Sequence, residues 1–189
     1  MRSPLILAST SPQRRAILEQ LQIPFEVVPP TYEEQDSSGL VPADLVRAHA
    51  EGKARSVDSE GRVTLGVDTA VVLDGRLYGK PGGRDEAARM LRELSGRTHA
   101  VISGVCLFGA GEDVVGHEIT DVTFRLLTPE LVAAYLESGE WEGRAGAYAI
   151  QGLGGRLVER IEGDYLNVVG LPGVLLVSLL ERNCPELLQ

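Results

Sequence analysis

A hairpin signal in the stretch Leu65–Pro81 places the strongest constraint on the fold of this chain. The run VDTAVVL is rich in β-branched and apolar residues, and the pair Asp74-Gly75 that follows it is typical of a tight β-turn. Asp68 lies inside the first predicted strand, where a carboxylate needs a partner or a metal ion to offset its desolvation. Asp68 is therefore a candidate site residue, and an aspartate bonded to loop amides is the alternative interpretation.

The position of Lys80 relative to Asp68 depends on the length of the turn. With a two-residue turn, Thr69 pairs with Lys80, so that Asp68 and Lys80 lie on opposite faces of the hairpin. With a three-residue loop and Gly75 in a left-handed bulge position, Asp68 and Lys80 share one face. The sequence pattern leaves both registers open.

Charge and cysteine content exclude several classes of function. The chain of 189 residues has 18 Lys and Arg against 27 Asp and Glu, a net charge of −9, which argues against non-specific binding to nucleic acid or to an anionic membrane. Cys106 and Cys184 match no metal or redox spacing. The sequence shows no signal peptide and no run long enough to span a membrane, so we expect one cytoplasmic domain, residues 1–189.

Strand-like and helix-like segments alternate along the chain, and several neighbouring strands look antiparallel. We therefore predict a mixed α/β sheet flanked by helices. Besides the hairpin, the predicted strands are residues 4–8, 25–28, 98–108, 114–127 and 156–161. The predicted helices are residues 13–22, 42–56, 84–94, 129–138 and a last one after residue 172.

Basic residues occur at the ends of the first two predicted helices. Ser11 is the expected N-cap of the first helix and Pro12 its first residue, so Arg14 and Arg15 fall in the first turn, where the helix dipole disfavours cations. A bound anion at this helix end would account for both arginines, and ordinary solvated arginines are the alternative. Lys53 lies in the last turn of the second helix, where the dipole alone explains a cation.

Familiar phosphate-binding motifs and the nucleophile motif of α/β-hydrolases are absent from the sequence. The segment 75–80 is one residue too short for a P-loop and continues with Pro81 where Ser or Thr is required. The chain contains neither a dinucleotide-binding fingerprint nor a G-x-S-x-G elbow. The glycine-rich segment 143–155 fits a ligand-facing loop, and turn chemistry alone is the alternative.

Eight segments, in the same order along nearly the whole chain, resemble the Maf family of nucleoside triphosphate pyrophosphatases. They are LASTSPQRRAIL at 7–18, the acidic loop ending at residue 34, EGKAR at 51–55, GVDT at 66–69, GKP at 79–81, LSGRTHAVISGV at 94–105, AGAYAIQG at 145–152 and ERIEGDYLNVVGLP at 159–172. The resemblance implies an elongated mixed sheet with two lobes around a cleft, similar to inosine-triphosphate pyrophosphatases. It also implies hydrolysis of a nucleoside triphosphate to the monophosphate and pyrophosphate, a divalent cation (Mg²⁺ or Mn²⁺) and a homodimer.

The resemblance also assigns roles to individual residues. Asp68 would be the proton acceptor, and Glu34 would bind the metal or take part in catalysis; Asp68 itself either activates the water or ligates the metal. Five residues would lie on the triphosphate: Ser9, Ser11, Arg14, Lys53 and Lys80. On this basis we expect the bulge at Gly75, with Asp68 and Lys80 facing one cavity.

Substrate choice depends on three further positions. Thr69 and Gln151 resemble the subgroup that acts on dTTP and UTP, and a hydroxyl and an amide can both donate and accept at a pyrimidine edge. Gln13 stands where that subgroup usually has arginine, a role that Arg15 or Arg14 would then take over. A modified purine such as 7-methyl-GTP is the alternative substrate. A nucleotide-sensing regulator of cell division without turnover is a third hypothesis, because the family is associated with inhibited septum formation.

Overall fold

The computed structural model describes residues 4–34 and 40–188. The strands are β1 (Leu5–Ala8), β2 (Phe25–Val27), β3 (Thr64–Leu73), β4 (Arg76–Tyr78), β5 (Thr98–Phe108), β6 (Val114–Phe124) and β7 (Val158–Glu162). The α-helices are α1 (Pro12–Gln20), α2 (Pro42–Arg55), α3 (Arg84–Leu94), α4 (Pro129–Glu137), α5 (Tyr165–Val169) and α6 (Gly173–Asn183). Short 3₁₀ helices occur at Ala145–Ala147, Leu153–Leu157 and Pro185–Leu188.

The predicted mixed sheet is confirmed. Within the described ranges, seven strands form one sheet in the order β2-β1-β3-β5-β6-β7, and β4 pairs with β3 away from this path. Strand β1 is parallel to both β2 and β3, whereas β4 is antiparallel to β3 and β7 is antiparallel to β6. In the part of the chain that the structure describes, none of the helices combines the length and the apolar character that a membrane span requires.

The chain divides into two compact units, in agreement with the predicted two lobes. The first unit combines the described residues up to Thr69 with residues 103–118 and 170–188. The second unit comprises Ala70–Ile102 and Ile119–Val169. The cleft and the single domain of residues 1–189 stay predictions.

The second unit contains a large apolar core, against which α3 packs one face. Helix α3 has the predicted bounds, and it buries Ala87, Ala88, Met90, Leu91 and Leu94. These residues join one cluster with apolar side chains of β3, β6 and α4. Since these positions recur with helical spacing, burial of this stripe stabilises the helix, which has Asp85 and Glu86 in its first turn, where the dipole favours acids.

The hairpin has a two-residue turn, so the predicted bulge at Gly75 is wrong. Leu73 pairs directly with Arg76, and both central residues have positive φ, 51° for Asp74 and 75° for Gly75. A turn of this kind matches the twist of the two strands, and aspartate tolerates the left-handed conformation. Strand β4 ends at Tyr78, and Lys80 lies outside it. The register therefore gives no support to a shared face for Lys80 and Asp68.

The predicted segments near the C-terminal end need smaller corrections. The strand predicted at 156–161 begins at Val158, because Leu153–Leu157 forms a 3₁₀ helix that consumes the first two positions. Residues Tyr165–Val169, for which the sequence pattern predicts no helix or strand, form the short helix α5. The last predicted helix is confirmed as α6.

Candidate active site

Two glycines let helix α2 lie directly against the sheet in the first unit. A Cβ atom on Gly66 of β3 would stand 2.0 Å from the carbonyl oxygen of Ala50, and one on Gly104 of β5 would stand 2.2 Å from that of Val46. Any side chain at either position would push the helix away from the sheet. This close packing brings Lys53, one turn after Ala50, to the surface of β3.

The same face of β3 carries Asp68. Because side chains alternate along a strand, Asp68 points to the side of Gly66 and therefore toward α2. The Lys53 ammonium lies 2.6 Å from Oδ1 of Asp68 and 2.6 Å from Oε1 of Glu34. The Lys53 and Asp68 side chains are only 12% and 14% exposed, whereas Glu34 is 56% exposed. One ammonium thus links a mostly buried carboxylate with a carboxylate that is open to solvent.

The loop that carries Glu34 is anchored to α2 by an aromatic side chain. The ring of Tyr32 fills the space where a Cβ on Gly52 would stand, 2.3 Å from the nearest ring carbon. The Tyr32 hydroxyl forms a 3.0 Å hydrogen bond with Nδ1 of His49, which is buried. His49 is therefore a buried histidine with a hydrogen-bond partner, and the loop is fixed two residues before Glu34.

The opposite face of β3 carries a cluster of hydroxyl groups. Thr69 follows Asp68, so its side chain points away from α2. The Thr69 hydroxyl lies 2.8 Å from Oγ of Ser103, which is fully buried, and 3.4 Å from the carbonyl oxygen of Gly170. Ser9, immediately after β1, is also buried.

Arg14 is held by this cluster through all three of its guanidinium nitrogens. Nε donates to the carbonyl oxygen of Gly170 at 3.0 Å, Nη1 to Oγ of Ser9 at 3.2 Å and Nη2 to Oγ1 of Thr69 at 3.4 Å. The residue as a whole is of intermediate exposure, but burial of the guanidinium lowers the pKa of Arg14, while the charges of Asp68 and Glu34 act in the opposite direction. Arginine stays protonated at physiological pH all the same.

The N-terminus of α1 forms as the sequence predicts. Ser11 is the N-cap, and its hydroxyl accepts from the backbone N–H of Arg14 and donates to Oε1 of Gln13 at 3.2 Å. The backbone N–H of Ser11 donates to Oγ of Ser9 at 3.1 Å. Arg15 is exposed on the same helix. Ser9, Ser11, Gln13 and Arg14 therefore surround one helix start.

The structure thus divides the predicted site residues. Most of them form two groups in the first unit, and two lie in the second unit. The charged group is Glu34, Lys53 and Asp68; the helix-start group is Ser9, Ser11, Gln13, Arg14 and Thr69. Lys80 and Gln151 are exposed residues of the second unit, and their roles stay predictions.

The carboxylates of Glu34 and Asp68 suit a metal ion that binds together with a phosphate ligand. Within residues 4–34 and 40–188, no three or more His, Cys, Asp or Glu side chains form a group that could hold a metal. Glu34 and Asp68 share one ammonium, and Mg²⁺ is commonly bound by one or two carboxylates together with phosphate oxygens. Two carboxylates beside Lys53 therefore fit a cation that is shared with a triphosphate.

Sequence reasoning missed the residues that position these groups. Ser103 and Gly170 hold Thr69 and Arg14, and Gly66 and Gly104 seat α2. Ser103 lies inside a correctly predicted strand, but its contact with Thr69 depends on β5 being next to β3. The sequence pattern does not contain this strand order.

Comparisons with known proteins agree with the resemblance. A family model described as Maf-like protein matches residues 4–183. A dTTP/UTP pyrophosphatase of Nitratidesulfovibrio vulgaris is 49% identical over 184 residues, which cover 95% of this chain and 88% of the relative. The dTTP/UTP pyrophosphatase of Moorella thermoacetica is 50% identical over 182 residues, 94% of each chain. That of Gloeobacter violaceus is 47% identical over 178 residues, 93% of this chain and 94% of the relative.

Similarity to solved structures is weaker. A HAM1 protein from Coxiella burnetii matches with a TM-score of 0.44 and 16% identity, covering 65% of this chain and 73% of the other. The Ham1 protein of Staphylococcus aureus matches with a TM-score of 0.44 and 12% identity, covering 65% of this chain and 72% of the other.

Proposed function

Because the chain belongs to the Maf family, we propose that it is a nucleoside triphosphate pyrophosphatase that hydrolyses dTTP and UTP to the nucleoside monophosphate and pyrophosphate. The observation that carries this proposal is the Lys53 ammonium, held 2.6 Å from both Asp68 and Glu34. A base, a cation and a second carboxylate are thereby fixed within one small volume. The reaction requires such a set, because a water must lose a proton while negative charge grows on the departing pyrophosphate.

Each of these residues takes a role in the reaction. Asp68 accepts a proton from the water whose oxygen bonds to the α-phosphorus, as the bond from that phosphorus to the bridging oxygen of pyrophosphate breaks. Lys53 holds the Asp68 carboxylate in place and, together with Arg14, stabilises charge on the phosphate oxygens. A divalent cation bound with the triphosphate, Mg²⁺ or Mn²⁺, would be held by Glu34 and Asp68 and would neutralise phosphate charge.

Arg14 and its hydroxyl partners bind further phosphate oxygens, close enough to the charged group that the Asp68 and Glu34 charges act on the Arg14 guanidinium. A guanidinium presents a rigid fork to a phosphate, and the N-terminus of a helix favours an anion. Ser9 and Ser11 contribute hydroxyl and backbone donors at this helix start. The family resemblance assigns Lys80 to the triphosphate as well, and that role is part of the proposal.

Gln151 recognises the base. The Thr69 hydroxyl has three partners in Ser103, Gly170 and Arg14, which use its one proton and both lone pairs. We therefore assign Thr69 the positioning of Arg14, whereas the exposed amide of Gln151 provides the donor and acceptor that a pyrimidine edge requires. A clean-up role in the nucleotide pool follows from this activity; a homodimer and a cytoplasmic location stay predictions.

A panel of triphosphates tests the reaction and the substrate together. The purified chain is incubated with dTTP, UTP, CTP, GTP, ATP and 7-methyl-GTP, with Mg²⁺ or Mn²⁺, and both monophosphate and pyrophosphate are measured. We expect both products, with dTTP and UTP turned over fastest. Release of single phosphates would contradict the reaction class.

The same panel separates the two rival functions. A second candidate substrate, 7-methyl-GTP, is favoured by Gln13, whose Oε1 is bound to Ser11 and which stands where the pyrimidine subgroup usually has arginine. Faster turnover of 7-methyl-GTP than of dTTP would establish it. Saturable binding of a triphosphate without either product would instead favour the nucleotide-sensing regulator.

A further inference from the structure

The turn that carries Gln151 is held at one end by a side chain of α4 and at the other by a side chain of the segment that follows α4. At its start, the backbone N–H of Ala149 donates to the hydroxyl of Tyr135 at 3.0 Å. At its end, the backbone N–H of Gly154 lies 3.4 Å from Oε2 of Glu140. Tyr135 belongs to α4, and Glu140 follows three residues after the end of that helix.

The Glu140 carboxylate fills a space that glycines leave in this turn. A Cβ on Gly152 would stand 2.4 Å from Oε2 and 2.6 Å from Oε1 of Glu140, so no larger residue fits there unless the carboxylate moves. A Cβ on Gly154 would stand 2.5 Å from the carbonyl oxygen of Ala149, so the turn also folds tightly on itself. Glu140 therefore occupies the inside of the turn whose tip is Gln151.

The position of Glu140 is itself fixed. Its backbone N–H donates to Oγ of Ser138 at 3.2 Å, and that hydroxyl donates to the carbonyl oxygen of Tyr135 at 2.6 Å. Next in sequence, the indole N–H of Trp141 donates to the carbonyl oxygen of Leu136 at 3.0 Å. The connection after α4 is thus tied back to the helix on both sides of Glu140.

We propose that Glu140 is a positioning residue for nucleotide selection, whose carboxylate, seated between Gly152 and Gly154, fixes the direction of Gln151. This inference rests on the proposed function, in which Gln151 contacts the base. A turn with several glycines has many accessible conformations, and ordering it only on binding would cost affinity. Because Glu140 orders the turn when the protein folds, Gln151 is already oriented in the free enzyme.

The test compares Glu140→Ala with Glu137→Ala as a matched control. Glu137 lies in the same α4 region and loses the same charge, but its carboxylate pairs with Arg84 at the surface. We expect Glu140→Ala to raise KM for the preferred triphosphate about 10-fold, the size of one lost charge-assisted hydrogen bond, with kcat nearly unchanged. Glu140→Gln keeps an acceptor oxygen and should recover most of the loss, and Glu137→Ala should resemble the wild type.

A double-mutant cycle with Gln151→Ala identifies the route of the effect. If Glu140 acts through Gln151, then Glu140→Ala has little further effect on KM in the Gln151→Ala background. If the two effects multiply, or if Glu140→Ala slows every triphosphate equally, Glu140 serves only the stability of the turn and the proposal is overturned.

Hydrogen exchange separates failure of this inference from failure of the proposed function. Without any nucleotide, exchange in residues 151–155 should be faster in Glu140→Ala than in wild type and unchanged in Glu137→Ala. Unchanged exchange in Glu140→Ala overturns the positioning role whatever the substrate is. If exchange is faster in Glu140→Ala but the wild-type protein hydrolyses no triphosphate, then Glu140 does fix the turn, and the proposed pyrophosphatase function is overturned instead.

Discussion

The two units differ in the polar groups that they bury. In the first unit, the main polar centre is charged and mostly buried, with Lys53 (12% exposed) against Asp68 (14% exposed) and the guanidinium of Arg14 nearby. In the second unit, it is neutral. There, Nε2 of His99 bonds the hydroxyl of Tyr148 at 2.9 Å, and this pair packs edge-on against Phe124.

A second neutral network in that unit joins a loop to the sheet. The side-chain amide of Asn167 donates to the carbonyl oxygen of Val101 and to Oγ1 of Thr120, both at 3.0 Å. Oγ1 of Thr120 in turn accepts from the backbone N–H of Asp164 at 3.1 Å. Asn167 and Thr120 are fully buried, so these bonds replace contacts with water and fix the segment before α5.

The comparison separates two uses of buried polarity. A buried ion pair repays its desolvation cost only in part, so it is weak support for stability. Neutral groups that find partners cost much less to bury. We therefore expect the charged centre of the first unit to determine activity with little benefit to stability, and the neutral networks of the second unit to do the reverse.

The largest effect is expected from Asp68→Asn in the charged centre. Asparagine keeps the shape of the side chain but is no base, so kcat should fall about 10²- to 10⁴-fold. The free energy of unfolding should change little, because Lys53 keeps Glu34 as a partner while one buried charge is removed. Steady-state kinetics with dTTP and urea unfolding measure the two quantities.

Asp74→Asn is the matched control for this experiment. It makes the same chemical change at the exposed turn of the hairpin, where Asp74 pairs with Arg97 and where asparagine also tolerates positive φ. Its activity should equal that of the wild type. Normal turnover in Asp68→Asn would remove Asp68 from catalysis, and a large loss of stability there would show that the charged centre serves the fold.

The next effect concerns the pH dependence of stability in the second unit. Burial lowers the pKa of His99 from 6.5 to about 4, and its Nδ1 is buried without a hydrogen-bond partner among the described residues. Above about pH 6.5 the ring is neutral in both folded and unfolded chains, so it contributes no pH dependence. Between about pH 6.5 and pH 4 only the unfolded chain gains the proton, and stability should fall as pH falls, by about 3 kcal/mol in total.

A comparison with His99→Gln isolates this contribution from that of the carboxylates. Urea unfolding between about pH 7.5 and pH 4.5 should show a shallower loss of stability in His99→Gln than in wild type. His117→Gln, an exposed histidine, should leave the slope of the wild type unchanged. Equal slopes in wild type and His99→Gln would mean that folding does not lower the pKa of His99.

The sequence predicted elements better than the contacts between them. Helix α3 and strand β5 have the predicted bounds, because an amphipathic stripe and a run of β-branched residues are local signals. The N-cap at Ser11 was equally local. The bulge expected at Gly75 is wrong because Asp-Gly locally favours a two-residue turn, and nothing in the fold requires Asp68 and Lys80 to share a face of the hairpin.

The site was predictable in its residue types but not in its geometry. In the sequence, the helix dipole alone is sufficient to explain a cation at Lys53. Only the fold shows that its ammonium lies between Glu34 and Asp68. That contact depends on the close approach of α2 at Gly66, a long-range feature. The motifs shared with the family pointed to Lys53 as a candidate site residue, although they carry no description of this packing.

The smallest effect tests what decides whether a buried polar group serves activity or stability. The deciding property is either its charge or its location in the first unit. The Ser103 hydroxyl is neutral and buried but lies in the first unit, next to Thr69. If the comparison holds, Ser103→Ala behaves like a neutral network and lowers the free energy of unfolding by about 1 kcal/mol. The value of kcat/KM should change by less than about 3-fold, since Arg14 keeps Ser9 and Gly170 as partners.

Thr64→Val is the control for Ser103→Ala. Thr64 is also a fully buried hydroxyl residue of the first unit, but its Oγ1 has no hydrogen-bond partner within the described residues. Replacing an unpartnered hydroxyl with a methyl group of similar size should leave stability unchanged or raise it. A loss of kcat/KM above about 100-fold in Ser103→Ala, with stability retained, would contradict the division by charge and would give the Thr69 hydroxyl cluster a direct part in the reaction.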